Sequence, residues 1–122
     1  MENAKNQLRE DSVEFAILVS DTCDDIKGCS VFVNQLLRSS SSIGANLHEA
    51  RYAQSRADFV NKLHIALKEC AETEYWIEML VGCNAITSET SHILFQECGI
   101  IRRMLAKSVT TAKSNKQQEE QH

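Results

Sequence analysis

The sequence predicts an all-α fold in which four helices pack as an antiparallel up-down-up-down bundle. The 122 residues contain no proline and 4 glycines, too few turn formers for a sandwich or barrel, which needs a turn every 8–12 residues or so. Apolar residues recur at helical steps of three, four or seven along four segments. Breaks of only two to six residues separate these segments, and such short connections make consecutive helices antiparallel neighbours. The length fits one domain.

The first two predicted helices cover 8–27 and 31–53, where apolar residues recur on one face. Gly28, between them, suits the left-handed conformation that commonly follows a helix end. The second helix also carries two small residues four positions apart, Ser40 and Gly44. Because small side chains let a neighbouring backbone come close, we expect this stripe to serve helix packing.

The third predicted helix, 56–81, has the most regular pattern of the four. Ser55 and Asp58 form a capping-box-like start, in which the Ser55 hydroxyl accepts a backbone N–H and Asp58 reaches back. The fourth helix is predicted over 88–113, and it is followed by a polar tail, 114–122, that we expect to fray. The seven-residue repeat of the third helix is typical of a packing seam and consists of Phe59, Leu63, Ala66, Cys70, Thr73, Ile77 and Leu80.

The composition argues against several classes of protein. The net charge of −4 does not by itself indicate a polyanion binder. The longest apolar run, 15–20, is far shorter than the ~20 residues of a membrane span, and the polar N-terminus lacks the apolar core of a secretion signal. We therefore expect a cytoplasmic protein with no membrane partner. In such a reducing compartment most of the cysteines would be small buried hydrophobes, namely Cys23, Cys29, Cys70, Cys83 and Cys98.

The middle of the chain resembles a known protein family. Residues 38–50 read RSSSSIGANLHEA and resemble the R-S-x-x-S-I-x-A-N-I-x-E-G signature of the bacterial 23S rRNA intervening-sequence proteins. Residues 55–76 are similar to the third helix of that family, so the resemblance covers 38–80. Ala50 stands where the signature has its final glycine, which predicts that the second helix continues for another turn.

This resemblance implies a left-handed four-helix bundle that assembles as a ring-shaped pentamer. Relatives of the family include the accessory variability determinants of diversity-generating retroelements, which are basic rings that bind nucleic acid and the reverse transcriptase. Members encoded in rRNA insertions have no established activity. The resemblance therefore implies a fold and a homo-oligomer. For the partner it implies only a class, nucleic acid or a protein that acts on it.

Polar residues lie on or beside the apolar stripe of the second predicted helix and around its end. A buried carboxylate costs several kcal/mol unless it is paired, so Glu49 should find a hydrogen-bond donor or an arginine. These residues could line a binding pocket, but we favour a structural polar network that fixes helix register. Its members would be Arg38, Ser42, Asn46, Glu49, Ser55 and Asp58.

The sequence predicts neither a metal centre nor a catalytic nucleophile. A di-iron site in a four-helix bundle needs a Glu-x-x-His motif on each of two helices, whereas this chain has one, from Glu89 to His92. It also lacks the G-x-S-x-G and glycine-rich phosphate-loop motifs. We therefore expect no metal, no cofactor and no enzymatic activity, and we identify no small-molecule substrate. An unrecognised enzyme is the minor alternative.

Two adjacent aromatic residues, Tyr75 and Trp76, lie on the third predicted helix. Neighbouring side chains on a helix point about 100° apart, so both cannot enter the same core and one should lie at the surface. An exposed ring could stack on a nucleic-acid base. We favour a subunit contact, since tyrosine and tryptophan are enriched in protein interfaces.

Charge alternates along the chain in blocks. Residues 30–68 and 98–116 have net charges of +3 and +5, whereas residues 1–29 and 69–97 have net charges of −4 and −6. Folding this pattern into an antiparallel bundle predicts one acidic end and one basic end. The residues predicted to bind nucleic acid or another anionic partner are Arg51, Arg56, Lys62, Arg102, Arg103, Lys107 and Lys113.

Two functions remain open at this point. The first is a non-enzymatic oligomer whose repeated basic ends bind rRNA, DNA or an acidic protein, with an affinity that falls steeply with salt. The second is a structural or protein-interaction scaffold in which nucleic acid plays no part. The net charge of −4 argues for the second, because the relatives that bind nucleic acid are basic. We favour the first.

Overall fold

A computed structural model of the chain describes the backbone of residues 2–121 and the side chains of residues 6–115. The described residues form four helices and no strand, which confirms the predicted fold class. The helices are α1 (Glu2–Asp24), α2 (Ser30–Ala50), α3 (Arg56–Gly82) and α4 (Ser88–Gln121). The backbone of α4 continues beyond the predicted end at 113, whereas the side chains of 116–122, most of the predicted tail, lie outside the described residues.

Each helix packs on the next one in the chain, and α1 also packs on α4. Two ion pairs show that α2 and α3 run in opposite directions. Arg38 on α2 pairs with Glu72 on α3. Glu49, later on α2, pairs with Lys62, which is earlier on α3. This antiparallel pairing, together with the short connections, fits the predicted up-down-up-down order. The left-handed twist stays a prediction.

The core is built largely from the predicted apolar stripes. The seam of α3 is buried from Leu63 through Leu80, as the seven-residue repeat predicts. At its first position Phe59 is only partly buried: it packs against the core and also lines a surface depression beside the end of α2, while its neighbour Val60 is buried. The other fully buried large side chains include Val19, Leu36, Ile43, Leu94, Ile101 and Leu105.

The small residues of α2 allow a close approach to α1. A Cβ atom added to Gly44 would lie 3.6 Å from the Cβ of Ser12, so the two helices are in van der Waals contact at this level. Ser12 and Ser40 are both buried, and the Ser12 hydroxyl donates a hydrogen bond to the carbonyl oxygen of Leu8. The packing role predicted for the small-residue stripe is confirmed.

The connection from α2 to α3 forms a tight corner. The predicted further turn of α2 is wrong: the α-helix ends at Ala50, and the next residues close with shorter i to i−3 bonds, such as Ala53 N–H to Ala50 C=O. The cap of α3 is confirmed, since the Ser55 hydroxyl accepts the Asp58 N–H. The Asp58 carboxylate accepts the N–H of Gln54, one residue earlier than a capping box requires.

No helix within residues 2–121 combines the length and the apolar character that crossing a membrane requires.

Candidate anion-binding site

An open depression of about 570 Å³ lies where α1 begins and α2 gives way to α3. Three of its lining residues are arginines from three different parts of the chain, Arg9, Arg51 and Arg56. No acidic side chain lines it among the residues the structure describes. We name this site, defined by the three arginines, the basic corner. Its full lining is Asn6, Arg9, Ala50, Arg51, Ala53, Ser55, Arg56 and Phe59.

The tight corner is what places two of these arginines side by side. Arg51 is the first residue after α2, and Arg56 is the first residue of α3, directly after the Ser55 cap. Arg9 joins them from α1, because antiparallel packing returns the start of the first helix to the end of the second. Arginines from three parts of the chain therefore line one depression, and their charges would attract an anion placed there.

The chemistry of arginine indicates which anion such a site suits. The guanidinium group presents N–H donors in a planar fork that matches a phosphate or a carboxylate in two parallel hydrogen bonds. Its charge persists at every physiological pH. The depression is open to solvent, so it can admit a group held on a larger chain. The basic corner can therefore bind a phosphate of a polymer as well as a free anion.

Lys62 and Arg102, two of the predicted binding cations, each form an ion pair with a described carboxylate of the same chain. The Lys62 ammonium lies 2.8 Å from the Glu49 carboxylate, and the hydrogen bond to Glu49 raises the pKa of Lys62. The Nε atom of Arg102 lies 2.9 Å from the Glu74 carboxylate. Because each ion pair offsets a positive charge locally, Lys62 and Arg102 contribute less to an anion site than their positions in the sequence predict.

The register of α3 and α4 places the remaining predicted cations. The Cys98 thiol donates to the Cys70 carbonyl oxygen at 3.6 Å, so these two residues lie at one level. Lys107 and Lys113 follow Cys98 by 9 and 15 residues, about 14 and 22 Å down the bundle at 1.5 Å per residue. Arg56 precedes Cys70 by 14 residues, about 21 Å in the same direction. Lys113 is therefore level with the basic corner, and Lys107 lies in the same half.

Arg103 lies nearer the middle of the bundle. It follows Cys98 by only 5 residues, and its guanidinium group folds back over Gly99, 3.2 Å from where a Cβ on that glycine would stand. The structure thus brings together Arg51 and Arg56, with Lys113 at their level, and separates Arg103 from them.

Sequence reasoning missed Arg9, which lines the same depression. Arg9 falls in the acidic block 1–29, whose net charge of −4 conceals it. A signal was nevertheless present, because a first helix beginning near Leu8 in an antiparallel bundle starts beside the end of the second. Individual positions at helix ends locate a charged surface better than block sums do.

Tyr75 and Trp76 divide between surface and interior, as predicted. The Tyr75 side chain is 51% exposed. Trp76 is partly buried and stacks against Phe32, with ring centroids 6.1 Å apart, while its indole N–H donates to Glu72. An exposed tyrosine edge-on to a fixed tryptophan provides a rigid amphipathic patch.

Comparison with known proteins identifies the family. The model of the family described as 23S rRNA-intervening sequence protein matches residues 4–107. The chain belongs to this family. It is also similar to a crystal structure of a protein with unknown function from the S23 ribosomal protein family of Bacteroides thetaiotaomicron VPI-5482. The two are 40% identical, with a TM-score of 0.83, over 88% of this chain and 98% of that one. No curated protein matches the chain.

Neither of these descriptions names an enzymatic activity. Within the residues that the structure describes, no group of three or more histidine, cysteine, aspartate or glutamate side chains could hold a metal ion. Glu89 and His92, the single Glu-x-x-His motif, are both exposed. This intervening-sequence protein is a four-helix bundle.

The residues that carry the family signature in this intervening-sequence protein make contacts within the chain. Arg38 bridges from α2 to Glu69 and Glu72 on α3, rather than pairing with Glu49. The Asn46 amide donates to both the carbonyl oxygen and the hydroxyl of Ser42, at 2.9 and 3.1 Å.

One further polar contact lies inside the bundle. The Thr73 hydroxyl donates to the Ser39 hydroxyl, at 2.9 Å, with both residues buried. In the described part of the chain, every buried side-chain nitrogen or oxygen has a hydrogen-bond partner. The Ser39–Thr73 hydrogen bond and the Arg38 ion pairs join α2 to α3, whereas the Asn46–Ser42 contact lies within α2. The predicted role of the polar residues in fixing helix register stays a prediction.

Proposed function

We propose that this intervening-sequence protein is a non-enzymatic oligomer that binds nucleic acid, either rRNA or DNA, through the basic corner. The observation that carries the proposal is the convergence of Arg9, Arg51 and Arg56 on one open depression. Lys113 and Lys107 would extend this surface along α4. The phosphate backbone is the ligand, so the proposal requires no reading of base sequence.

A local cluster of this kind matters because the whole chain repels polyanions. With a net charge of −4, the long-range force on a polyanion is repulsive, and binding must come from contacts within about one Debye length, roughly 8 Å at physiological salt. Symmetric assembly would repeat the corner on every subunit and let several corners engage one strand, raising the effective concentration.

Fluorescence anisotropy with a fluorescein-labelled 20-nucleotide RNA tests the proposal, with a DNA duplex of the same sequence in parallel. If three arginines each contact a phosphate of a single strand, raising salt from 50 to 200 mM should weaken binding about 20-fold. Arg51→Gln should weaken binding to the RNA at 50 mM salt and lower its salt slope by about 0.7, the value for one phosphate contact on a single strand.

Lys27→Gln is the matched control, because Lys27 is also exposed in a connection between helices, at the opposite end, and its loss changes the net charge equally. Equal effects of the two substitutions would contradict a local site. No binding of either probe at 50 mM salt would overturn the proposal and leave the protein-interaction scaffold, which the exposed Asp24, Asp25, Glu78 and Glu89 would then serve.

We propose further that copies of the chain assemble through Tyr75 and Trp76, in the pentamer that the family resemblance implies. The support is the rigid, half-exposed aromatic patch they form on α3. Tyr75→Glu should lower the mass measured by light scattering at micromolar concentration to that of the 13.7 kDa single chain. Tyr52→Glu is the control, since Tyr52 is 71% exposed and lies at the other end of the bundle. An unchanged mass for Tyr75→Glu would contradict this contact.

A further inference from the structure

Two cysteines meet at the end of the bundle opposite the basic corner. The sulfur atoms of Cys29 and Cys83 lie 2.7 Å apart, although the residues are 54 positions apart in sequence. An S–S bond measures roughly 2.05 Å, so a closure of about 0.7 Å would bring the two sulfurs to bonding distance. Both side chains are partly exposed, whereas the other three cysteines are buried.

The backbone around these cysteines lies outside regular helix. Cys29 has a φ of 51°, directly after Gly28 with a φ of 85°, and a left-handed conformation is uncommon for a residue that carries a side chain. Cys83 is the first residue after α3. Because both residues lie at helix ends rather than inside a helix, we expect the small movement needed for bonding to leave the helices intact.

The second neighbouring pair of cysteines provides an internal comparison. Cys70 and Cys98 face each other across α3 and α4, and both are fully buried. Hydrogen bonding to Cys70 and burial raise the pKa of the Cys98 thiol far above its usual range. Because the thiolate is the reactive form and access is closed, this pair should be inert under conditions that oxidise an exposed pair.

We propose that Cys29 and Cys83 are a redox modification site, at which a small-molecule disulfide converts the two thiols to an intramolecular disulfide. The thiolate of one cysteine attacks the small disulfide, forms a mixed disulfide and releases one small thiol. The thiolate of the other cysteine then attacks the protein sulfur of that mixed disulfide and releases the second small thiol. Two protein thiols are oxidised, and one small disulfide is reduced to two thiols that carry the two protons.

The bond would tie the start of α2 to the end of α3. It would close a loop over 29–83, which contains both helices, and a loop of this length restricts the unfolded chain strongly. Oxidation should therefore raise the melting temperature, by about 5 °C or more for a domain of this size. The hydrogen bond with Cys83 also raises the pKa of Cys29, which slows the first attack because the thiolate is the reactive form. Access to solvent therefore distinguishes this pair from Cys70 and Cys98.

The test is to equilibrate the full chain with mixtures of oxidised and reduced glutathione, block remaining thiols with N-ethylmaleimide and map the peptides. Trypsin alone leaves Cys70, Cys83 and Cys98 in one peptide, so a second cleavage after glutamate is needed. Together they isolate Cys29 in 28–38 and Cys83 in 79–89. The expected result is a cross-link between these two peptides, a fall from five free thiols to three, and reversal by dithiothreitol.

Single substitutions separate this site from the other cysteines. Cys29→Ser and Cys83→Ser should each abolish the cross-link and the rise in melting temperature, whereas Cys23→Ser should retain both. A cross-link between Cys70 and Cys98, a glutathione adduct that persists on Cys29, or five thiols at every glutathione ratio would each overturn the proposal. If a substituted chain does not fold, the peptide map of the unsubstituted chain still decides.

Discussion

The two ends of the bundle differ in charge and in chemistry. At the basic corner, Arg9, Arg51 and Arg56 surround an open depression. At the opposite end, where the α1–α2 and α3–α4 connections meet, two thiols touch and the acidic side chains are exposed. A net charge of −4 conceals this separation. Because the helices alternate in direction and the charge blocks alternate with them, like charges collect at the same end.

Helix stability alone does not account for this layout. Asp24 ends α1 and Glu78 lies close to the end of α3, where the helix dipole disfavours a carboxylate by a few tenths of a kcal/mol. Arg56 begins α3, where the dipole disfavours a cation by a similar amount. An arrangement that opposes the dipole at three helix ends is consistent with a surface that serves a partner.

The largest expected effects test whether the two ends fold as one unit. Leu63 lies in the half nearer the basic corner, and Leu36 lies in the half nearer the cysteines; both are buried. Leu63→Ala and Leu36→Ala should each lower the free energy of unfolding by about 2–5 kcal/mol. The slope of that free energy against urea concentration (the m-value) should stay unchanged.

Ile93→Ala is the control for both, because Ile93 is 51% exposed and its loss should cost within about 0.5 kcal/mol. A lower m-value in only one of the two leucine variants would show instead that the two ends unfold separately.

A smaller effect distinguishes the ends by their helix caps. The Ser55 hydroxyl accepts the Asp58 N–H at the basic corner, and the Thr87 hydroxyl accepts the Thr90 N–H at the opposite end. Ser55→Ala and Thr87→Ala should each cost about 1 kcal/mol in urea unfolding. Only Ser55→Ala should also weaken RNA binding in the anisotropy assay, because it loosens the first turn that positions Arg56. Equal weakening by both would contradict a site at one end.

The smallest effect concerns the ion pair beside the basic corner. Hydrogen bonding to Glu49 raises the pKa of Lys62 in the folded state. The stabilisation is therefore fully present below the ordinary lysine pKa, about 10.4, and is lost as the pH rises through the raised value. At pH 7 the urea midpoint of the native chain should be slightly higher than that of Glu49→Gln. This difference should disappear as the pH approaches 12. A constant difference would mean that the ion pair does not stabilise the fold.

The local features of the fold followed from short-range patterns. The Ser55 cap was predictable because a helix cap depends on residues close together in sequence. The seam from Leu63 to Leu80 was predictable because helical spacing decides which side chains share one face. The end of α2 was not. Ala50 has a high helix propensity, yet the chain turns after it, because the corner is set by packing between helices, which overrides propensity.

The sequence by itself determined four helices, their order and the alternation of charge along them. Only the tertiary structure decided that Arg38 pairs with Glu69 and Glu72, that Arg9 joins Arg51 and Arg56, and that Cys29 meets Cys83. The physical reason is that helical periodicity fixes which face of a helix is buried. The axial register and the neighbours of each helix depend on how whole side-chain surfaces fit together.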